Sequence, residues 1–206
     1  ELDDEPELRF TKGGFPMPGM EAEVHDPDTG EVLPNGSVGE LWYRGPNMFD
    51  GYFRDQELTE EVFDERGFFK TGDICEIDID GRITFVSRLK DMLKVGGENV
   101  SAAEVEGYLI THPAIALAQV VSAPDERYVE VPAAFIQLKP DMDATEEEII
   151  EFCKGKIATY RIPRYVRFVD DWPMSGTKIK KIVLREMIAS ELKDKGITQA
   201  DKMSSS

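Results

Sequence analysis

Up to about residue 88, the chain alternates short apolar segments with polar clusters rich in Gly, Pro, Asp and Asn. Residues 21–24 and 39–44 have the length and composition of strands, and the turn-forming segments 26–30 and 33–36 lie between them. Residues 78–82 have the composition of a hairpin tip between two further strands. Short strands at this spacing predict a small twisted barrel or sheet.

Beyond residue 88 the pattern changes to longer elements. Ser101 and Glu104 have the spacing of a capping box, which predicts a helix that runs to about Thr111. Two apolar runs of strand length follow, at residues 115–121 and 133–138. This part of the chain therefore mixes strands and helices in an α+β arrangement.

Two further helices are predicted from apolar positions at helical spacing. Thr145 is the expected N-cap of the first, and another helix begins near Lys180. The apolar residues of the first are Ile149, Ile150, Cys153 and Ile157, and those of the second are Ile182, Val183, Met187 and Ile188.

The remaining aromatic and imidazole side chains carry no site pattern. We expect His25 and His112 at the surface or at caps. We expect the core to include Trp42, Tyr43, Phe168 and Trp172.

Length and composition are those of a globular protein. The 206 residues correspond to one domain or two small ones, and the apolar and charged fractions are 41% and 32%. No run is apolar for long enough to cross a bilayer, and the N-terminus lacks the features of a signal peptide. The absence of an initiator Met is consistent with a fragment. Two widely spaced cysteines, Cys75 and Cys153, do not form a disulfide framework, so a reducing cytoplasm is expected.

The net charge of −17 is spread unevenly. Residues 1–88 carry 22 acidic and 8 basic side chains, whereas residues 154–185 carry 9 basic and 2 acidic ones. An acidic protein is a poor general ligand for nucleic acid, but this basic segment suits a small polyphosphate. A solvated basic face is the simpler explanation of the same segment.

Five motifs occur in a fixed order along the chain. The motifs are Phe69-Lys70-Thr71-Gly72-Asp73, Ser87-Arg88-Leu89-Lys90-Asp91, Lys94-Val95-Gly96-Gly97-Glu98-Asn99-Val100, Ala103-Glu104-Val105-Glu106, and Lys178-Ile179-Lys180-Lys181 with Leu184-Arg185. Together, these motifs resemble the closing half of the adenylate-forming superfamily, which contains acyl-CoA synthetases, peptide-synthetase adenylation domains and luciferases. Within that resemblance, residues 96–99, Gly-Gly-Glu-Asn, favour the acyl-CoA synthetase branch.

The resemblance implies a fold and a domain division. Residues 1–89 would be the end of a large AMP-binding domain, as a small β-barrel-like remnant. Residues 90–206 would be a compact, mobile α+β C-terminal domain. The family's phosphate loop and its aromatic-Gly-x-Thr-Glu segment do not occur in the sequence. The magnesium ligand and the acid pocket are therefore expected in a region N-terminal to it, and no metal ligand is assigned here.

Asp73 and Arg88 match the family residues that bind the nucleotide. A carboxylate on a tight turn at Thr71-Gly72-Asp73 can accept hydrogen bonds from both ribose hydroxyls. A guanidinium such as that of Arg88 suits oxygen-rich ligands. The alternatives are an ordinary turn aspartate and a surface ion pair of Arg88 with Asp91 or Glu98.

The next motifs imply a hinge and a second ligand contact. Lys90 matches the position at which the mobile domain pivots, and Asp91 is the less favoured choice. Lys94, Gly96 and Gly97 match residues near the acyl-adenylate and the pantetheine channel. An ordinary linker lysine and an ordinary glycine turn are the alternatives.

Lys178 matches the family lysine that bridges the acid and the α-phosphate from a flexible loop before the last helix. An ammonium group there would stabilise charge that develops on the phosphate. The motif fits Lys178 and neither Lys180 nor Lys181, although Thr177 stands where the family usually has Gly. A basic helix start is the alternative.

The implied activity is that of an ATP-dependent acyl-CoA synthetase. ATP, a carboxylic acid and coenzyme A would be its substrates, with Mg²⁺ as cofactor and a role in fatty acid metabolism. An adenylation enzyme that loads a carrier protein, and a non-enzymatic module, are the alternatives. No nucleic-acid partner is expected, and the chain on its own is expected to be inactive.

Overall fold

The computed structural model describes residues 13–203 and divides the chain into two compact units, 1–90 and 91–206. Both units combine strands with helices, which confirms the α+β class. Within the described residues, no helix has the length and apolar composition that crossing a membrane requires.

In its described residues, the first unit is an antiparallel sheet with one short helix. Its strand order is β2-β1-β3-β4-β5, and no pairing among the described residues joins the two ends. The sheet alternative of the sequence prediction is therefore confirmed, whereas the barrel-like remnant is not. The elements are β1 Glu21–His25, β2 Val32–Leu33, β3 Val38–Arg44, α1 Gln56–Val62, β4 Phe69–Ile77 and β5 Ile83–Arg88.

One prediction for this sheet is wrong. His25 is 1% exposed and not a surface residue. Its ring stacks on Trp42, with the ring centroids 3.7 Å apart, and its Nδ1 lies 2.9 Å from the carbonyl oxygen of Gly30. An aromatic partner and a backbone acceptor allow a histidine to be buried in a strand that pattern alone places at the surface.

The second unit is a mixed sheet with helices on both faces. The strand order is β10-β9-β6-β7, and β8 also pairs with β9. Among the strands that the structure describes, β10 and β9 are the only parallel pair of this sheet. The elements are β6 Met92–Val95, β7 Glu98–Ser101, α2 Ala102–Leu109, β8 Ile115–Asp125, β9 Val129–Leu138, α3 Glu146–Cys153, β10 Tyr165–Phe168, β11 Met174–Ser175, β12 Lys178–Ile179 and α4 Lys181–Asp194.

Strands β8 and β9 contribute side chains to a core on each side of the sheet. Val120 and Ile136 pack with Val105 of α2 and Ile149 of α3. The opposite face packs against α4, through Leu184, Ile188 and Leu192. Because both faces are covered, these strands are continuous apolar runs with little polar alternation.

The helix predictions are right in position and less accurate in detail. Thr145 forms a full capping box with Glu148, whereas α3 ends at Cys153 and leaves Ile157 outside it. Helix α4 buries Leu184 in place of the predicted Ile182 and Met187, which are exposed. Phe168 of β10, which was expected in the core, is also exposed. The face of the helix with Leu184 and Ile188 packs against the sheet. Which of the apolar positions faces the sheet depends on this packing and not on the helical spacing alone.

The second unit contains an ion-pair network that should make its stability depend on pH. The Arg167 Nη2 atom lies 2.7 Å from Glu191 Oε1, and its Nη1 atom lies 2.9 Å from Glu146 Oε2. The hydrogen bond from Arg167 is the main cause that lowers the pKa of Glu191 from 4.5 to about 2, and Lys195 adds to it. Because the folded pKa lies below the unfolded one, the stabilisation is fully present above pH 4.5 and is lost as the pH falls through about 2.

Replacing Glu191 with Gln should therefore lower the free energy of unfolding at neutral pH by about 1 kcal/mol, since solvent screens much of the interaction. The difference from wild type should shrink between pH 4.5 and about 2, as measured by urea denaturation at a series of pH values. Glu186→Gln, an exposed position on the same helix, is the control and should cause no such change. A Glu191→Gln deficit that persists unchanged at low pH would show that the ion pair does not cause it.

Candidate functional site

Asp73 and Arg88, which the sequence assigns to one nucleotide, lie side by side in the first unit. They are register partners on β4 and β5, and the Arg88 Nη1 atom lies 2.8 Å from Asp73 Oδ1. Arg88 thus forms an ion pair, as one alternative expected, but its partner is Asp73 and not Asp91 or Glu98. The Oδ1 atom is buried and the contact lacks hydrogen-bond alignment, while 26% of the Asp73 side chain is exposed. The pair therefore keeps acceptor capacity for a ligand.

The predicted tight turn at Thr71-Gly72-Asp73 is wrong, because the segment lies inside β4 as a bulge. Glu40 pairs with Ile74 and Trp42 with Lys70, so three residues of β4 stand opposite the single residue between them on β3. The backbone of Gly72 has a φ of 68°, which favours glycine. A glycine is therefore required at this position for its positive φ, as predicted, but in a strand bulge and not in a turn.

Side-chain hydrogen bonds fix the bulge. The Thr71 hydroxyl donates to the carbonyl oxygen of Leu41 at 2.7 Å and accepts the Asp73 N–H at 3.0 Å. The Glu40 Oε1 atom accepts the Gly72 N–H at 3.0 Å. None of the sequence motifs includes Glu40, and the available signal for it was a carboxylate within an apolar strand, Glu40-Leu41-Trp42.

The negative charge of Asp73 also acts on a neighbouring thiol. Burial, and next the Asp73 carboxylate, raise the pKa of Cys75 to about 11, while Arg88 opposes the rise. Cys75 is therefore a protonated core residue and not a nucleophile.

Lys90 lies at the junction between the two units. The first unit ends at this residue and the second begins at Asp91. Lys90 is exposed and belongs to a 3₁₀ turn formed by Leu89–Asp91. Asp91 binds Arg185 of α4 at 2.9 Å, so the first residue of the second unit is tied to its last helix.

Gly96 and Gly97 form the turn between β6 and β7. Their φ angles of 60° and 95° are those of a two-residue hairpin turn, which demands positive φ at both positions. A Cβ on Gly96 would lie 3.1 Å from the ring of Tyr128, whereas Gly97 faces open space. The turn alternative thus accounts for both glycines, and Gly97 keeps room for a ligand beside it. Lys94 is exposed on β6 of the same hairpin.

Lys178 lies on a two-stranded hairpin and not on an irregular loop. Ser175 on β11 pairs with Lys178 on β12, and Gly176, with a φ of 58°, helps to close the turn. Lys178 is exposed and makes no ion pair with any described residue. The hairpin leads through Lys180, the N-cap residue, into α4.

Most cations of the basic segment are already paired within the second unit. Each contact joins a helix to another helix, to strand β10, to a 3₁₀ turn or to its own end, which favours a structural role for these cations. Lys156, Lys178 and Lys180 remain as exposed cations without an ion pair in the described part of the chain, and Arg164 is half-buried without one. The pairs are Lys154 with Glu151, Arg161 with Glu104, Arg167 with Glu191, Lys181 with Glu106, and Arg185 with Asp91.

The predicted site residues thus form two groups in different units. Asp73 and Arg88 are in contact in the first, and Lys94, Gly96, Gly97 and Lys178 occupy two hairpins of the second. Residues 13–203 hold no group of three or more His, Cys, Asp or Glu that could bind a metal ion.

Comparison with known proteins gives two family matches and several close relatives. The AMP-binding enzyme family matches residues 2–53, and the AMP-binding enzyme C-terminal domain matches residues 104–178. A mitochondrial medium-chain acyl-CoA ligase of Danio rerio is 44% identical over 92% of this chain and 31% of its own length. The chain spans about a third of the length of the curated relatives it matches.

Solved structures agree with these relatives. ATP-bound MatB from Rhodopseudomonas palustris superimposes with a TM-score of 0.81 at 34% identity, over 88% of this chain and 36% of that one. An amide bond synthetase from Marinactinospora thermotolerans gives a TM-score of 0.76 at 34% identity, over 89% and 37%. The chain therefore belongs to the adenylate-forming, AMP-binding enzyme superfamily, within its acyl-CoA synthetase branch.

Proposed function

We propose that the protein containing this chain is an AMP-forming acyl-CoA synthetase, which activates a carboxylic acid with ATP and transfers the acyl group to coenzyme A. The observation that carries the proposal is the Asp73–Arg88 pair on a glycine bulge, a carboxylate and a guanidinium 2.8 Å apart. Such a pair offers an acceptor for ribose hydroxyls and a donor for phosphate oxygens.

Lys178 supplies the positive charge for the first step. A carboxylate oxygen attacks the α-phosphorus of ATP, the bond to pyrophosphate breaks, and the mixed anhydride forms. An ammonium group beside the α-phosphate stabilises the negative charge of that transition state. Lys178 suits this role because it is exposed and makes no ion pair with a described residue.

The second step uses coenzyme A. Its thiolate attacks the acyl carbonyl carbon, AMP leaves, and the thioester forms. Lys94 and Gly97, on an exposed hairpin, are the residues proposed to face the acyl-adenylate and the pantetheine arm, and Gly96 shapes their turn. Since the two groups of site residues lie in different units, the proposal requires Lys90 to act as a hinge that brings each hairpin to the nucleotide in turn.

The substrate is a carboxylic acid, and its acyl group is proposed to bind to residues outside 13–203. Mg²⁺ is also proposed to bind outside residues 13–203. Two buried free thiols, Cys75 and Cys153, support a reducing compartment such as the cytoplasm.

A different acyl acceptor is the second candidate function. The amide bond synthetase from Marinactinospora thermotolerans superimposes with a TM-score of 0.76, and its name indicates an acceptor other than coenzyme A. An amine or the thiol of a carrier protein would be the acceptor in this case. Supplying the acyl-adenylate with coenzyme A, an amine or a carrier protein, and measuring the rate of AMP release, distinguishes these acceptors. A non-enzymatic module would release no AMP with any of them.

Acid-dependent pyrophosphate release tests the proposed function. The protein that contains this chain should release pyrophosphate from ATP with at least one member of a panel of carboxylic acids. The 206-residue chain alone should release none, because it covers about a third of its curated relatives. Release by the short chain would show that these residues suffice, and no release by the whole protein would contradict the proposal.

A further inference from the structure

The carboxylate of Glu40 is buried beneath the bulge that carries Asp73. Glu40 is 8% exposed, and both of its oxygens are hydrogen bonded. Oε1 accepts the backbone N–H of Gly72 at 3.0 Å, and Oε2 accepts the indole N–H of Trp42 at 2.9 Å. A buried carboxylate destabilises a fold unless such bonds compensate for its lost hydration, so this arrangement depends on both donors.

The bulge explains why a carboxylate is needed there. Three residues of β4 stand opposite one residue of β3, so the Gly72 N–H is displaced from the regular ladder. A displaced backbone donor inside a sheet needs another acceptor, and Glu40 supplies it. Asp73 follows Gly72 directly, so the bond from Glu40 fixes the peptide from which the Asp73 side chain projects.

Trp42 holds the other oxygen of Glu40 in place. Its ring stacks on the buried His25 at 3.7 Å, and the Lys70 Nζ atom lies 5.4 Å from the ring centroid. A side chain that is packed in this way has little rotational freedom, so its N–H is a fixed donor. The chain of contacts therefore runs from His25 through Trp42 and Glu40 to the bulge.

We propose that Glu40 is a positioning residue for nucleotide binding, which acts through Asp73. Its charge-assisted hydrogen bond holds the Gly72 peptide in the conformation that places the Asp73 carboxylate beside Arg88 and towards the ribose. This inference rests on the proposed function, because it takes Asp73 as the ribose ligand. It adds a residue that no motif pointed to.

Glu40→Gln in the full-length enzyme tests the role. Glutamine can still accept the Gly72 N–H, but its amide N–H₂ then faces the indole N–H of Trp42, donor against donor. We expect the KM for ATP and the Kd for AMP to rise about 10-fold, the effect of losing one hydrogen bond to a charged group. The KM for the carboxylic acid should stay unchanged. A general loss of stability would lower the folded fraction, and with it the maximal rate, without raising the KM for ATP.

Asp64→Asn is the matched control. The Asp64 side chain is 16% exposed, and like Glu40 it accepts a backbone N–H, from Phe68 at 2.7 Å, and a side-chain N–H, from Arg66 at 3.0 Å. None of its hydrogen bonds in the described residues reaches Glu40 or the bulge. Asp64→Asn should lower the melting temperature about as much as Glu40→Gln, yet leave the KM for ATP unchanged. An equal rise of that KM in both variants would overturn the inference.

A double-mutant cycle separates this inference from the proposed function. Asp73→Ala should raise the KM for ATP, and adding Glu40→Gln should then change it no further, because Glu40 acts through Asp73. If Asp73→Ala leaves the KM for ATP unchanged, the proposed nucleotide site fails and this inference fails with it. If Asp73→Ala raises the KM but Glu40→Gln does not, or the two effects multiply, only the positioning role is overturned.

Trp42→Phe keeps the test decisive if Glu40→Gln does not fold. Phenylalanine keeps a ring against His25 and removes only the indole donor to Glu40. We expect a smaller rise in the KM for ATP than with Glu40→Gln, and none when Asp73 is already Ala. A Trp42→Phe enzyme that folds and binds ATP as the wild type does would overturn the inference.

Discussion

Replacing Lys178 with Ala in the full-length enzyme should slow adenylation by about 100- to 1,000-fold, the usual effect of removing one electrostatic donor from a transition state. Lys178 is an exposed ammonium group without an ion pair among the described residues, so its charge is available to the α-phosphate. Thioester formation from a supplied acyl-adenylate should be nearly unchanged, because the proposed hinge movement has by then carried the Lys178 hairpin away from the nucleotide. Pyrophosphate exchange measures the first step, and AMP release from the acyl-adenylate measures the second.

The neighbouring lysines provide controls of the same charge. Lys180→Ala removes an equally exposed cation at the start of α4 and should change adenylation much less. Lys181→Ala breaks an ion pair with Glu106 at 2.7 Å and should lower the melting temperature more than the adenylation rate. If all three variants slow adenylation alike, the segment acts as diffuse charge, and the assignment of Lys178 is wrong.

Replacing Lys90 with Pro should separate the two half-reactions. Proline fixes φ near −65°, which the 3₁₀ turn at Leu89–Asp91 accepts, so one orientation of the units should survive. An orientation that needs another φ would be disfavoured by about 3 kcal/mol, which corresponds to a loss of about 100-fold. We expect adenylation to be retained and thioester formation to fall by this factor.

Lys90→Ala is the control for the hinge, because it removes the side chain and leaves the backbone free to rotate. It should affect both half-reactions far less than proline does. An equal loss of both half-reactions in Lys90→Pro, with the melting temperature unchanged, would show that this position does not separate two states of the enzyme.

Much of the fold was predictable because local chemistry and tertiary packing agree. The Gly96-Gly97 pair specifies a hairpin turn by itself, and Thr145 with Glu148 specifies a helix start. The ordered motifs also indicated that Asp73 and Arg88 belong together, 15 residues apart in sequence and adjacent across two strands.

Other features depend on contacts that no local pattern specifies. Residues 122–125, Ser-Ala-Pro-Asp, have turn-forming chemistry, yet they extend β8 because residues 129–132 of β9 pair with them. The burial of His25 depends on Trp42, which is 17 residues further along the sequence and lies on the neighbouring strand β3. The bulge at Gly72 arises from a mismatch between β3 and β4, so its true acceptor, Glu40, is visible only once the register is known.

The fate of a carboxylate oxygen distinguishes AMP-forming activation from other ways of activating the acid. The full-length enzyme would be given ATP, coenzyme A and a carboxylic acid labelled with oxygen-18 in its carboxyl group, and the products would be analysed by mass spectrometry. Attack of the labelled carboxylate on the α-phosphorus, followed by displacement of AMP by the thiol, leaves a single labelled oxygen in AMP. We expect that label in AMP, together with unlabelled pyrophosphate. Label in inorganic phosphate, with ADP as the nucleotide product, would contradict it.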